Sequence, residues 1–140
     1  MTNVIKLFLP AADNTIGVLH FFGETMSYLA QSIGNIVIVK VLHTEATLKY
    51  AMDFRNYLTD LISKGNNRII VDLTSTTFMD STFLGVLVYM LKKSAAAGGY
   101  LRIIRNSGDS PVWKMFEITN MIKVFKIYGH SSEAIKSFAL

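Results

Sequence analysis

The chain has 140 residues, 51% of them apolar and 17% charged, with a formal net charge of +4 and no cysteine. That length suits one domain able to bury roughly two thirds of the surface its unfolded chain would expose, and the missing thiols exclude disulfides and thiolate metal sites. The basic residues, among them Lys40, Arg55, Lys64, Lys92, Arg105 and Lys126, are scattered along the sequence. A nucleic-acid binder gathers its cations on one face with aromatics between them, so nucleic acid is not an expected partner.

The first 24 residues stand apart as an N-terminal extension, followed by a domain over 25–140. Within the extension, "VIKLFL" and "TIGVLHFF" are separated by "PAADN", which fits an extra hairpin or a homodimer arm; the sequence leaves both open. Pro10 cuts the early apolar run below the length of a secretory core. The longest charge-free run, Thr25 to Val39, carries Ser, Gln and Asn and is shorter than the roughly 20 apolar residues of a membrane-spanning helix. The chain therefore reads as cytoplasmic, with no membrane insertion.

From Ser27, "SYLAQSI" and "IVIVKVL" are strand-like runs joined by Gly34-Asn35, a tight-hairpin signature. "TLKYAMDFRNYLTDLISK" has helical spacing through Leu48, Ala51, Leu58 and Ile62, with a cap expected near Thr44 and a stop at Gly65. "RIIVDLT" places Ile69, Ile70 and Val71 in succession, as in a central strand covered on both faces. A helix is predicted over 81–97 with Leu84, Leu87, Val88 and Leu91 inward, ended by Gly98-Gly99. "YLRIIRN" is the next strand. Ser110-Pro111 then open a helix in the favoured order, capping hydroxyl before proline, with Val112, Met115 and Phe116 inward and an end near Asn120. "VFKIY" makes a last strand and "SSEAIKSFAL" a final helix. A hairpin followed by βαβα alternation implies an α/β fold, a mixed β-sheet with helices packed on it.

Catalytic constellations are hard to assemble from these residues. His20, His43 and His130 lie in different elements without metal-pair spacing. "MDSTF" lacks the glycines of a nucleophile elbow. Gly98-Gly99 follow a helix and precede a strand, the reverse of the order in a phosphate loop. Thr74 to Thr77 read as a polar loop, and Trp113 as an amphipathic helix aromatic. No enzyme and no cofactor is expected.

One group has a favourable position. Asp80, Ser81 and Thr82 stand after the carboxyl end of a central strand, where open α/β sheets place binding sites, and at the positive end of a helix. They are a cap, or a place where phosphate is written. A phosphorylated Ser81 would add about 1.5 to 2 negative charges at one corner without breaking the fold.

The order from "RIIVDLTSTTFMDSTFLGVLVYMLKK" through "GGYLRII" and "SPVWKMFEITNM" to "SSEA" resembles the STAS domain of bacterial anti-sigma factor antagonists, over about Met26 to Phe138. The resemblance implies a single STAS-like domain acting as a regulatory binding module. In that family a serine is phosphorylated by a partner that is both anti-sigma factor and serine kinase. The unphosphorylated form binds this partner and frees a sigma factor, and a serine phosphatase resets the system. Carried over, Ser81 matches the acceptor, Thr82 the second hydroxyl and Asp80 the preceding acid. ATP and magnesium would belong to the kinase. Two departures stand out: Phe83 replaces the usual glycine beside the acceptor, and "LHTEA" replaces the usual turn on the same end of the sheet. His43, Thr44, Glu45 and Phe83 thus join Asp80, Ser81 and Thr82 as expected partner contacts. The other class of function carried by such domains is a scaffold or interaction subunit without phosphorylation: an accessory of an ABC lipid transporter, a stressosome-like component or the regulatory domain of an anion transporter. The apolar leader leans toward that class.

Overall fold

Strands here follow from β-branched runs whose alternate residues must be covered on two faces. The computed structural model describes residues 4–8 and 16–138. Strand β1 (Val4–Phe8) pairs antiparallel with β2 (Ile16–Phe22), and β2 with β3 (Thr25–Ile33). Val4–Phe8 and Ile16–Phe22 thus continue the main sheet beyond β3, while the "PAADN" stretch between them lies outside the described residues. Between β3 and β4 (Ile36–Val41) the chain reverses through Gly34-Asn35, with Gly34 at a φ of +59° that glycine adopts without a Cβ penalty. Beyond β4 the pairing turns parallel: β6 (Arg68–Asp72), β8 (Tyr100–Ile104) and β9 (Ile127–Tyr128) complete a seven-stranded sheet ordered β1-β2-β3-β4-β6-β8-β9.

The two faces of the sheet are read off its period of two. Val37, Val39, Ile69, Val71, Leu101 and Ile103 face helices α1 (Leu48–Ser63), α2 (Ser81–Ala96) and α3 (Pro111–Ile118) in the larger core. Ile36, Ile38, Ile70 and Ile104 face the other way, where Ala134 and Phe138 from the α4 segment (Ser131–Lys136 and the turn after it) cover them. Buried runs on both faces explain the high apolar fraction.

Three local expectations need correction. Helix α1 begins at Leu48 rather than near Thr44, because Glu45–Ala46 form a two-residue strand β5 paired parallel with β7 (Phe78–Met79). Leu48 consequently lies on the surface, and Ala51, Phe54 and Leu58 make the buried stripe of α1. On α2 the fully buried residues are Phe83, Leu87, Met90 and Ser94, with Leu84 beside them and Val88 and Leu91 only half-buried. The inward stripe is rotated because α2 packs on α1 as well as on the sheet: Phe83 stacks on Phe54 at 4.6 Å between ring centroids. The last strand is shorter than "VFKIY", since Met121–Lys123 form a 3-10 turn and Phe125 drops into the core against Phe116.

Candidate functional site

The loops at the carboxyl ends of β4, β6 and β8 are tied into one corner by hydrogen bonds. The Thr44 carbonyl accepts from the N–H groups of Thr77 (2.8 Å) and Phe78 (3.2 Å) and from the Thr77 hydroxyl (3.2 Å). Buried Thr76 donates its hydroxyl to the His43 carbonyl at 3.1 Å, and Asn106 donates its side-chain amide to the Thr76 carbonyl at 3.0 Å. Asn106 in turn accepts from Ser110, whose oxygen caps α3 by accepting from the Trp113 N–H at 3.1 Å. The "TSTT" tract is thus a structural brace.

Asp80 is the centre of this corner. Its N–H donates to the Ala46 carbonyl at 3.0 Å, extending the β5–β7 pairing by one bond. One carboxylate oxygen accepts from the Phe83 N–H at 2.9 Å and so caps α2; the other accepts from the Leu48 N–H at 2.7 Å, at the first residue of α1. A single carboxylate therefore bridges the starts of two helices that run side by side, and compensates the positive ends of both. Thr47, which precedes α1, makes no side-chain cap.

Ser81 and Thr82 follow as the first two residues of α2, and both side chains are exposed. The corner thus presents a hydroxyl at the positive end of two helices, beside a fixed negative charge. Among the described residues, no group of three or more His, Cys, Asp or Glu side chains is placed to hold a metal ion, and no helix is long and apolar enough to cross a membrane.

Of the other expected contacts, Thr44 and Glu45 are exposed on the same corner. Phe83 is not beside the acceptor on the surface: it is fully buried against Phe54, because the third position of α2 points into the α1–α2 seam. His43 is 6% exposed, its ring stacks on Tyr50 at 3.5 Å between centroids, and burial holds its pKa below the ordinary histidine value. Phe83 supports the corner from within the core, whereas His43 lines a cleft together with Thr44 and Glu45.

The sequence reading missed the apolar flanks. Leu48 is 69% exposed, Phe78 43% and Ile118 84%. Phe78 and Ile118 line a cleft of about 310 Å³ with Met79, Pro111 and Met115, between β7 and α3. On the opposite flank, Thr44, Glu45, Lys49 and Tyr50 line a more polar cleft of about 380 Å³. Ile118 was legible in principle, lying two residues past inward Phe116 and so on the outer face of a 3.6-residue helix.

Comparison with known proteins agrees with this architecture. Residues 27–134 match the STAS domain. A candidate anti-sigma factor antagonist of Thermotoga neapolitana is 31% identical over 101 residues, which is 71% of this chain and 88% of that protein. The crystal structure of a candidate anti-sigma factor antagonist from Thermotoga maritima superposes with a TM-score of 0.72 at 28% identity, covering 79% of this chain and 92% of that one. The anti-sigma factor antagonist SpoIIAA in its unphosphorylated form shares the fold, with a TM-score of 0.58 at 17% identity over 81% of this chain and 97% of that one. An α/β sheet of this order, the braced corner at the head of α2 and the match over residues 27–134 lead to one assignment: the chain belongs to the STAS domain family.

Proposed function

We propose that this protein is an anti-sigma factor antagonist that works by partner switching, with Ser81 as the switch and Thr82 as the second acceptor. Unphosphorylated, the corner formed by Thr44, Glu45, Asp80, Ser81 and Thr82 docks on a cytoplasmic anti-sigma factor that is also a serine kinase, and a sigma factor is released. Phosphorylation of Ser81 ends the complex, and a serine phosphatase restores it. The protein itself is a binding module with no reaction of its own; ATP and magnesium enter through the kinase.

The observation that carries this reading is the exposed Ser81 hydroxyl next to an Asp80 carboxylate already committed to two backbone N–H groups. A kinase finds the hydroxyl accessible, while the fold beneath it does not depend on that hydroxyl. Phosphate would place about 1.5 to 2 charges close to apolar Phe78 and Leu48, and burying such a charge in an interface without a paired cation is costly. The relatives named as candidate anti-sigma factor antagonists support the same role. SpoIIAA, whose fold this chain shares, has itself been solved in a phosphorylated form.

A second reading, a STAS scaffold subunit that is never phosphorylated, is favoured by the β1–β2 hairpin, which widens the sheet beyond the residues matching the family. The deciding experiment incubates the protein with its anti-sigma kinase and ATP, maps phosphate on the peptide Ile69–Lys92, and measures binding of Ser81→Ala and Ser81→Asp. Phosphate on Ser81, with binding kept by Ser81→Ala and weakened at least tenfold by Ser81→Asp, supports the switch. Equal binding by both variants, with the peptide unphosphorylated, supports the scaffold.

A further inference from the structure

A cavity of about 310 Å³ lies away from the Ser81 corner, between strands β2–β3 and helix α1. Its helix wall is built by Asp53, Asn56, Tyr57, Asp60 and Lys64. These recur at helical spacing and form the side of α1 turned from α2, whereas Phe54, Arg55 and Thr59 face α2 through Phe83, Tyr89 and Met90. The sheet wall is His20 and Tyr28. His20 belongs to the added hairpin and lies outside the residues that match the family, 27–134.

The lining has an unbalanced chemistry. Asp60 is already neutralised by Lys64, 2.9 Å away. Asp53 is not: half-buried, it accepts one hydrogen bond, from the Tyr28 hydroxyl at 3.1 Å, and among the described residues it has no cationic partner. The Tyr57 hydroxyl is buried and, among the described residues, has no hydrogen-bond partner. The Tyr57 ring is fixed by stacking on Tyr28 at 5.0 Å and by contact with His20 at 4.2 Å between centroids, so its oxygen cannot swing out to water without breaking both contacts. Burial keeps the Tyr57 hydroxyl protonated and lowers the pKa of His20, favouring its neutral ring. A carboxylate, a phenol oxygen and a neutral imidazole nitrogen are all acceptors. A buried orphan hydroxyl and an unpaired, partly desolvated carboxylate are each unfavourable until a donor or a positive charge arrives.

We propose that this cavity is a binding site for a small primary amine, its ammonium held by Asp53 with Tyr57 and His20 as further acceptors and its apolar body against the Tyr28 and Tyr57 rings. A primary ammonium fits because it brings both the charge and three N–H donors, which a quaternary ammonium lacks. The protein as a whole carries +4, so general electrostatics oppose cation binding and saturable binding must be local. The site is independent of Ser81, and the two readings stand or fall separately.

The test is a two-dimensional amide NMR titration of the full chain at fixed ionic strength, with phenethylamine as probe and tetramethylammonium and phenylacetate as controls. Saturable shifts confined to the neighbourhood of His20, Asp53 and Tyr57, at least tenfold weaker for tetramethylammonium and absent for phenylacetate, are expected. Asp53→Asn should weaken the amine at least tenfold. Because that change also alters the Tyr28 contact, Tyr57→Phe is the second variant: it keeps the stacked ring, should fold at least as well as the parent, and should weaken binding several-fold. Equal binding of the primary and quaternary ions, shifts spread over all acidic residues, or unchanged affinity in both variants would overturn the site. Ser81→Ala should bind the amine as the parent does.

Discussion

Replacing Asp80 by alanine probes the most consequential contact in the corner. The side chain makes two charge-assisted hydrogen bonds, 2.9 Å to the Phe83 N–H and 2.7 Å to the Leu48 N–H. Loss of an N-cap costs about 1 kcal/mol. The second bond joins helix α1 to helix α2, and bonds to charged groups are worth about 1.5 to 3 kcal/mol; since Leu48 is at the surface, water recovers part of that, leaving about 1 kcal/mol. The expected loss is therefore about 2 kcal/mol. With an unfolding entropy of about 2.1 cal/mol/K per residue, this corresponds to a fall of about 7 °C in Tm. Asp80→Asn keeps one acceptor oxygen and can serve only one helix, so it should lose about half as much. Urea denaturation followed by circular dichroism measures both variants on one scale. An Asp80→Ala loss below about 0.5 kcal/mol, or an asparagine variant as stable as the parent, would refute the double cap.

Further outcomes follow from the same geometry. Ser81→Ala and Ser81→Asp should each unfold within about 0.5 kcal/mol of the parent in the same assay, since the side chain is exposed at a helix start; a larger loss would mean Ser81 is structural, and the binding comparison would need reinterpretation. Phe83→Ala should cost about 3 to 5 kcal/mol, because the ring is fully buried on Phe54, so any loss of partner binding in that variant should track its fraction folded. Gly99→Ala should be strongly destabilising or insoluble, as a Cβ there would come within 1.8 Å of the Asn67 carbonyl oxygen; a stable, soluble variant would show that the start of β8 can shift. Burial lowers the folded-state pKa of His20 and His43. The unfolded chain then binds more protons just below about pH 6.5, so stability should fall as pH drops from about 7 through 6, and a His20→Gln, His43→Gln double variant should flatten that slope.

Much of this protein is written locally. Gly34-Asn35 specify the hairpin, Ser110-Pro111 the start of α3, and the unbroken Ile69-Ile70-Val71 run a strand covered on both faces, because turn geometry, capping and burial period act over a few residues. The Asp80-Ser81 step marked the start of α2 for the same reason, and the "FMDST" pattern in its context identified the family. Tertiary structure decided what depends on partners distant in sequence. The β5–β7 pairing exists only because two short loops meet, and it moved the start of α1 to Leu48. Phe83 changed from an expected contact to a core ring because α1 packs beside α2, and no periodicity within α2 could reveal which of two neighbours would claim each face. Asp80 could be recognised as a cap from its own helix, but its second bond reaches across 32 residues to Leu48. The pairing of Ile16–Phe22 with β3 likewise joins residues whose partner no local pattern names. Short-range chemistry thus determined the elements, and long-range packing determined which side chains remain available to a partner.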